Sequence, residues 1–151
     1  MGQKIYAGII GGAGYTAGEL IRILLNHPNA EIGFVNSSSN SGKKLYEVHT
    51  DLIGETELTF CSDLPFDEVH VLFLCLAHGE SKKFMEQNDV PKSLKVIDLS
   101  QDFRLQGFTL NDGEEDWVYG LPEQNRIMIR SSKRVANPGC FATAIQLAVL
   151  P

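Results

Sequence analysis

The sequence predicts an α/β protein, a doubly wound, mainly parallel sheet with helices on both faces. Three observations predict it. The apolar run "KIYAGII" leads into the glycine turn "GGAG" and then into an amphipathic stretch. Further apolar runs of strand length alternate with stretches of helical pattern. One of them, "VHVLFLCLA" from Val69 to Ala77, is almost continuous apolar sequence, as expected of a strand covered on both faces. Crossovers in such a sheet are right-handed.

Each element has its own reason. "KIYAGII" is bounded by glycines and too short for a helix, so it reads as the first strand. Thr16 to Asn26 reads as a helix, with Thr16 as N-cap and Leu20, Ile23 and Leu24 on its buried face. His27-Pro28 ends it, because the residue before proline is biased away from helix. "AEIGFVN" is the second strand, "SSSNSGKKL" a polar loop and "ELTF" a further strand. After Val69–Ala77 come a short helix, "GESKKFMEQN", and a strand, "KVIDLS". The polar, Gly- and Pro-bearing stretch "QDFRLQGFTLNDGEEDWVYGLPEQN" carries no assignable period. "KRVAN" is a last short strand before the helical run "CFATAIQLAVL". There is no internal repeat and no low-complexity linker.

At 151 residues, the chain has the size of one domain with a real core, and its 43% hydrophobic and 21% charged content is that of a globular protein. A net charge of −6 argues against a nucleic-acid partner, which calls for a basic face. No apolar run is long enough to span a bilayer, and glycines interrupt the N-terminus too early for a signal peptide. The expected location is the cytoplasm. Three cysteines without a C-x-x-C pair suggest neither a disulfide framework nor a metal site. Cys75 reads as a small buried hydrophobe and Cys61 as a strand-end residue.

The glycine turn carries the first functional signal. Gly12-Ala13-Gly14-Tyr15-Thr16-Ala17 matches G-x-G-x-x-A, while Gly11 and Gly14 give the G-x-x-G spacing of a related variant. Both readings place a tight turn between strand and helix, let the backbone approach a pyrophosphate, and aim helix N–H groups at it. The predicted ligand is a dinucleotide. A site selective for NAD places Asp or Glu at the end of the second strand. Here Asn36-Ser37-Ser38-Ser39 is followed by Gly42-Lys43-Lys44, and hydroxyls with lysines suit a 2′-phosphate, so NADP(H) is expected.

Cys140 carries the second. Pro138-Gly139 fixes a turn that delivers it to the first turn of a helix, where the partial positive charge favours a thiolate. A cysteine and a nicotinamide in one protein suggest thioester chemistry that interconverts an acyl group and an aldehyde. A stand-alone nucleotide-binding or redox-sensing module, with Cys140 as sensor, is the alternative from a different class. His78 follows the long strand at its carboxyl end, where ligands bind in open α/β sheets, and reads as a cofactor contact rather than a base. His27, His49 and His70 read as surface or strand residues. Asp102 and Arg104 read as an ion pair shaping the site or as help for an anionic substrate, the structural role being preferred.

Together "GGAGYTAGEL", "CLAHGES", "VIDLSQDFRL", "VYGLPE" and "ANPGCFATAIQLAVLP" resemble the N-acetyl-γ-glutamyl-phosphate reductase family of arginine biosynthesis, within the aspartate-semialdehyde dehydrogenase group. The resemblance spans nearly the whole chain. It implies a Rossmann domain over residues 1–151 that ends at the cysteine helix. A substrate and dimerisation domain would follow it, outside this chain. It also implies NADPH-dependent reduction of N-acetyl-γ-glutamyl phosphate by a homo-oligomer, related aspartyl or carrier-linked aminoadipyl phosphates being the runners-up. By position, Cys140 corresponds to the nucleophile, and Gly11, Gly12, Ala13, Gly14, Tyr15 and Thr16 to the phosphate-binding turn. Ser37 and Ser38 stand where the family often has Ser-Arg, so Lys43 takes the arginine's part; Ala77, His78 and Gly79 form the loop beside the nicotinamide. Ala77 replaces a usual proline, and Ala17 a glycine. The family's catalytic histidine lies downstream of this chain, which is therefore expected to be inactive alone.

Overall fold

A computed structural model describes residues 4–105 and 117–150. The chain divides into two compact units, residues 1–76 and 77–151.

Among the described residues, the first unit holds four parallel strands. β1 (Ile5–Ile10) pairs on one side with β2 (Ala30–Asn36) and on the other with β4 (Val71–Leu74), and β2 pairs with β3 (Phe60–Cys61). The order is β3-β2-β1-β4. β1 has a paired neighbour on each edge and buries all of Ala7 to Ile10, successive residues that point to opposite faces, which explains its apolar run. β4 is shorter than the Val69–Ala77 expected, and its faces differ: Leu72 and Leu74 are fully buried, Val71 and Phe73 half-buried.

α1 (Tyr15–Leu25) links β1 to β2 and starts one residue earlier than expected. Its N-cap is Gly14, and no side chain caps it, so Thr16 does not have the role assigned to it. The buried stripe is Ala17, Gly18, Ile21 and Leu24, spaced by turns of helix, whereas Ile23 is 63% exposed. Burying Ile21 and Leu24 stabilises the unit by about 1.5–3 kcal/mol each. The polar stretch after β2 is not a plain loop. It winds through single 3-10 turns at Ser38–Asn40, Leu45–Glu47 and Thr50–Leu52, and seats Leu45 and Leu52 in the core.

In the second unit, β7 (Arg134–Ala136) lies between β5 (Lys95–Asp98) and β6 (Val118–Tyr119), all parallel. Val96, Leu121, Val135 and Ala136 form its core with Phe103 and Trp117, whose rings stack. α2 (Glu80–Gln87) precedes β5, α3 (Pro122–Ser131) precedes β7, and α4 (Cys140–Val149) follows it. β6 falls in the stretch that carried no period, and α3 begins in it and runs on to Ser131; part of that stretch lies outside the described residues. α3 shows why: it buries no residue, so it has no apolar stripe to read. Among the described residues no helix is long and apolar enough to cross a membrane.

Candidate dinucleotide site and the cysteine helix

In the first unit, β1 is followed by Gly11, which takes φ +75°, a conformation costly for any residue with a side chain. Gly12 is buried. Its N–H donates to the Asn36 carbonyl at 2.8 Å, and a Cβ there would lie 2.1 Å from Val35 Cγ1. Gly14 closes the turn with a hydrogen bond from its N–H to the Gly11 carbonyl at 3.1 Å. Its φ of −75° is ordinary, and a Cβ would meet nothing nearer than 3.4 Å. Gly11 and Gly12 are therefore demanded by the fold, while nothing within the fold demands Gly14.

Gly14, Tyr15 and Thr16 are exposed at the start of α1, and Ala13 is half-exposed. No acidic residue sits in the helix's first turn. Uncapped N–H groups, absent negative charge and an approachable backbone fit a bound phosphate group.

At the carboxyl end of β2, the Asn36 amide is occupied by the carbonyls of Cys61 and Ser62, so it anchors the strand end. Ser37 is buried. Its N–H donates to the Cys61 carbonyl, and its hydroxyl accepts from the Asn40 amide. Ser38, Ser39 and Lys43 are exposed, with Lys43 Nζ 3.1 Å from Asn40 Oδ1.

His49, read from sequence as a surface or strand residue, is neither. It is 8% exposed, and its Nε2 lies 2.8 Å from the Gly12 carbonyl oxygen. A carbonyl only accepts, so Nε2 carries the proton. The ring also packs against α1, where a Cβ on Gly18 would stand 2.8 Å from Nδ1. Beside it Arg22 of α1 forms a bidentate pair with Asp51, which holds the Asp51 carboxyl below the usual carboxylate range. The sequence offered no signal for the His49 contact, since His49 and Gly12 are 37 residues apart and 3-10 turns carry no period.

In the second unit, Ala77, His78 and Gly79 are exposed and lead into α2, with Gly79 at φ +86°. Asp102 takes the part of a distant cap: its carboxylate accepts from the N–H groups of Gly79 at 2.6 Å and Lys82 at 3.1 Å. His78 Nδ1 accepts from the Gln101 N–H at 3.2 Å, which leaves Nε2 as the outward nitrogen. Asp102 and Arg104 do not form the expected ion pair. Arg104 instead donates from Nε to the Asn137 carbonyl and from Nη2 to the Leu99 carbonyl, both at 2.9 Å. Asp98, fully buried, accepts from the N–H and hydroxyl of Ser100. Burial pushes its carboxyl up, against the pull of its Ser100 hydrogen bonds.

Cys140 is the first residue of α4 and is exposed. Gly139 is the N-cap, no side chain caps the helix, and its first turn holds no acidic group. Cys75 is buried as expected, and Cys61 Sγ contacts the Val35 and Asp63 carbonyls. Among the described residues, no group of three or more His, Cys, Asp or Glu is placed to hold a metal ion.

The family model of the semialdehyde dehydrogenase NAD binding domain matches residues 6–132. The chain belongs to this family. The matched range takes in the glycine turn, the Ser37–Lys43 stretch and the Ala77–Gly79 loop. Relatives of this NAD binding domain include the N-acetyl-gamma-glutamyl-phosphate reductases of Parabacteroides distasonis and Phocaeicola vulgatus. Each is 60% identical over 97% of the chain. The chain spans 44% of the length of either relative. Solved structures show the same fold at low identity. Aspartate semialdehyde dehydrogenase II of Vibrio cholerae, complexed with ASA, superposes with a TM-score of 0.70 at 18% identity, over 97% of this chain and 45% of that one. The Candida albicans aspartate semialdehyde dehydrogenase with NADP gives 0.64 at 22%, over 85% and 36%.

Proposed function

We propose that this chain is the dinucleotide-binding, cysteine-bearing N-terminal part of an N-acetyl-γ-glutamyl-phosphate reductase. In this reading it is a cytoplasmic enzyme of arginine biosynthesis. The observation that carries the reading is 60% identity across 97% of the chain to relatives of that name, with Cys140 exposed at the uncapped start of α4. The α4 helix itself supports a further, substrate-binding and dimerising part of the full protein. Phe141, Ile145, Leu147 and Val149 are 48–78% exposed, an apolar surface suited to being covered.

The chemistry follows from the residues. The Cys140 thiolate attacks the acyl carbon of N-acetyl-γ-glutamyl phosphate, the S–C bond forms, and the C–O bond to phosphate breaks to release inorganic phosphate. N–H groups at the start of α4 favour the negative charge on the carbonyl oxygen as it develops. When bound, NADPH supplies the hydride that turns the thioester into the semialdehyde. The C–S bond then breaks and returns the thiolate. Gly11 to Thr16 are the residues to hold the pyrophosphate, Ser37, Ser38 and Lys43 the ribose 2′-phosphate, and Ala77, His78 and Gly79 the nicotinamide end.

Cys140→Ser in the complete protein tests this. Turnover of N-acetyl-γ-glutamyl phosphate should be abolished while NADPH affinity stays within about twofold, because Cys140 is not among the residues assigned to the cofactor. Substrate should also protect Cys140 from thiol labelling. Retained turnover in the serine variant, or preferred reduction of aspartyl phosphate, would overturn the assignment. The isolated 151-residue chain should be inactive, and full activity from it would mean that the active site is misplaced.

A further inference from the structure

We infer that His49 is a positioning residue for the dinucleotide: by holding the Gly12 carbonyl inward, it turns the next backbone N–H toward the bound pyrophosphate. The inference rests on the reading that the glycine turn binds a dinucleotide.

Both ends of Gly12 are anchored. Its N–H donates to the Asn36 carbonyl and its carbonyl accepts from His49 Nε2, each at 2.8 Å. A trans peptide is planar, with its C=O and N–H pointing in opposite directions. Fixing the Gly12 oxygen against His49 therefore directs the Ala13 N–H away from His49. Without that hydrogen bond the Gly12–Ala13 peptide is free to rotate, and the buried carbonyl is left unpaired.

The imidazole is held in turn. It is tilted against the Phe60 ring at 6.3 Å between centroids, and α1 leaves it space only because residue 18 is glycine. The Arg22–Asp51 pair ties the following 3-10 turn to the same helix. A hydroxyl or an exposed side chain would satisfy the carbonyl equally well. A buried ring braced from two sides fixes its direction as well.

The experiment compares His49→Phe and His49→Gln in the complete protein, titrated with NADPH and with adenosine 2′-monophosphate, which lacks a pyrophosphate. His49→Phe keeps the ring and removes the donor. Its NADPH dissociation constant should rise by about tenfold, with adenosine 2′-monophosphate affinity unchanged. His49→Gln, with a donor of similar reach, should recover most of the loss. If His49→Phe does not fold, Gly18→Ala displaces the ring while retaining it and should give the same selective loss. Wild-type NADPH affinity in the folded variants, or equal weakening of both ligands, would overturn the inference. Failure of the wild-type protein to bind NADPH would instead remove the underlying assignment of the turn.

Discussion

Three alanine substitutions in one turn separate folding from binding. At Gly11, alanine meets two penalties: a left-handed backbone costs about 1–2 kcal/mol, and a Cβ at 2.7 Å from the Cys75 carbonyl oxygen adds about 1–3 kcal/mol of overpacking. The obstructing atom is backbone and cannot rotate aside. At roughly 2–4 °C per kcal/mol for a chain of this size, the melting temperature should fall by about 4–20 °C. Gly12→Ala forces its Cβ against buried Val35 and should lose about 1–3 kcal/mol, or roughly 2–12 °C.

Gly14→Ala is the informative member. With φ at −75° and 3.4 Å of room, alanine fits. Its poorer N-cap preference costs about 0.5–1 kcal/mol, and restriction of the unfolded chain returns about 0.4–1 kcal/mol. The ligand-free melting temperature should therefore stay within about 2 °C of wild type. The same methyl group stands where the backbone must approach a pyrophosphate, so NADPH affinity should fall by about tenfold or more. Melting by circular dichroism without ligand, paired with calorimetric titration of NADPH, reads both quantities. Undiminished NADPH affinity in Gly14→Ala, or a melting loss matching that of Gly11→Ala, would refute the reasoning.

Two other perturbations follow from single side chains. Lys43→Ala should weaken NADP(H) by about fivefold and leave NAD(H) unchanged, since an exposed charged contact contributes about 1 kcal/mol; equal effects on both in parallel titrations would remove Lys43 from the 2′-phosphate. Asp98 has a raised pKa, so the folded state binds its proton more tightly than the unfolded state, and its contribution to stability declines as pH rises from about 4 through the folded value. Urea unfolding of wild type and Asp98→Asn should show the wild-type advantage shrinking over that window, and an advantage that grows would contradict the burial argument.

The elements that position the glycine turn were legible because local chemistry and tertiary demand agree there. "AEIGFVN" is β2 residue for residue, and the strand–glycine–helix order stands as read. Errors begin where one face must be chosen. Ile23 and Ile21 have similar side chains two residues apart, and only the sheet beneath α1 decides that Ile21 is buried. α3 had a signal that went unused: Pro122 at its first position and Glu123 in its first turn form a helix start, even without an apolar stripe. The His49–Gly12 contact had none, being created by the path of three separate 3-10 turns.

The polar segment from Asp98 to Arg104, whose Asp102 and Arg104 read from sequence as structural in preference to substrate-binding, is a scaffold built from the residue types of a site. Its residue types, two carboxylates, a hydroxyl and a guanidinium, are those of an active centre. Yet Asp98 orders Ser100, the Ser100 hydroxyl accepts from the Asp102 N–H, and Asp102 in turn holds Gly79 and the start of α2. Arg104 works in the other direction, gripping the Asn137 carbonyl two residues before the N-cap of α4. The loop at Ala77–Gly79 and the turn that presents Cys140 thus hang from the same seven residues, and Asp98 is buried at their root. A buried carboxylate is costly unless hydrogen-bonded, and here both bonds it accepts come from Ser100, whose hydroxyl in turn holds Asp102. Its charge is best understood as structural: it sets the backbone from which the chemically active residues project.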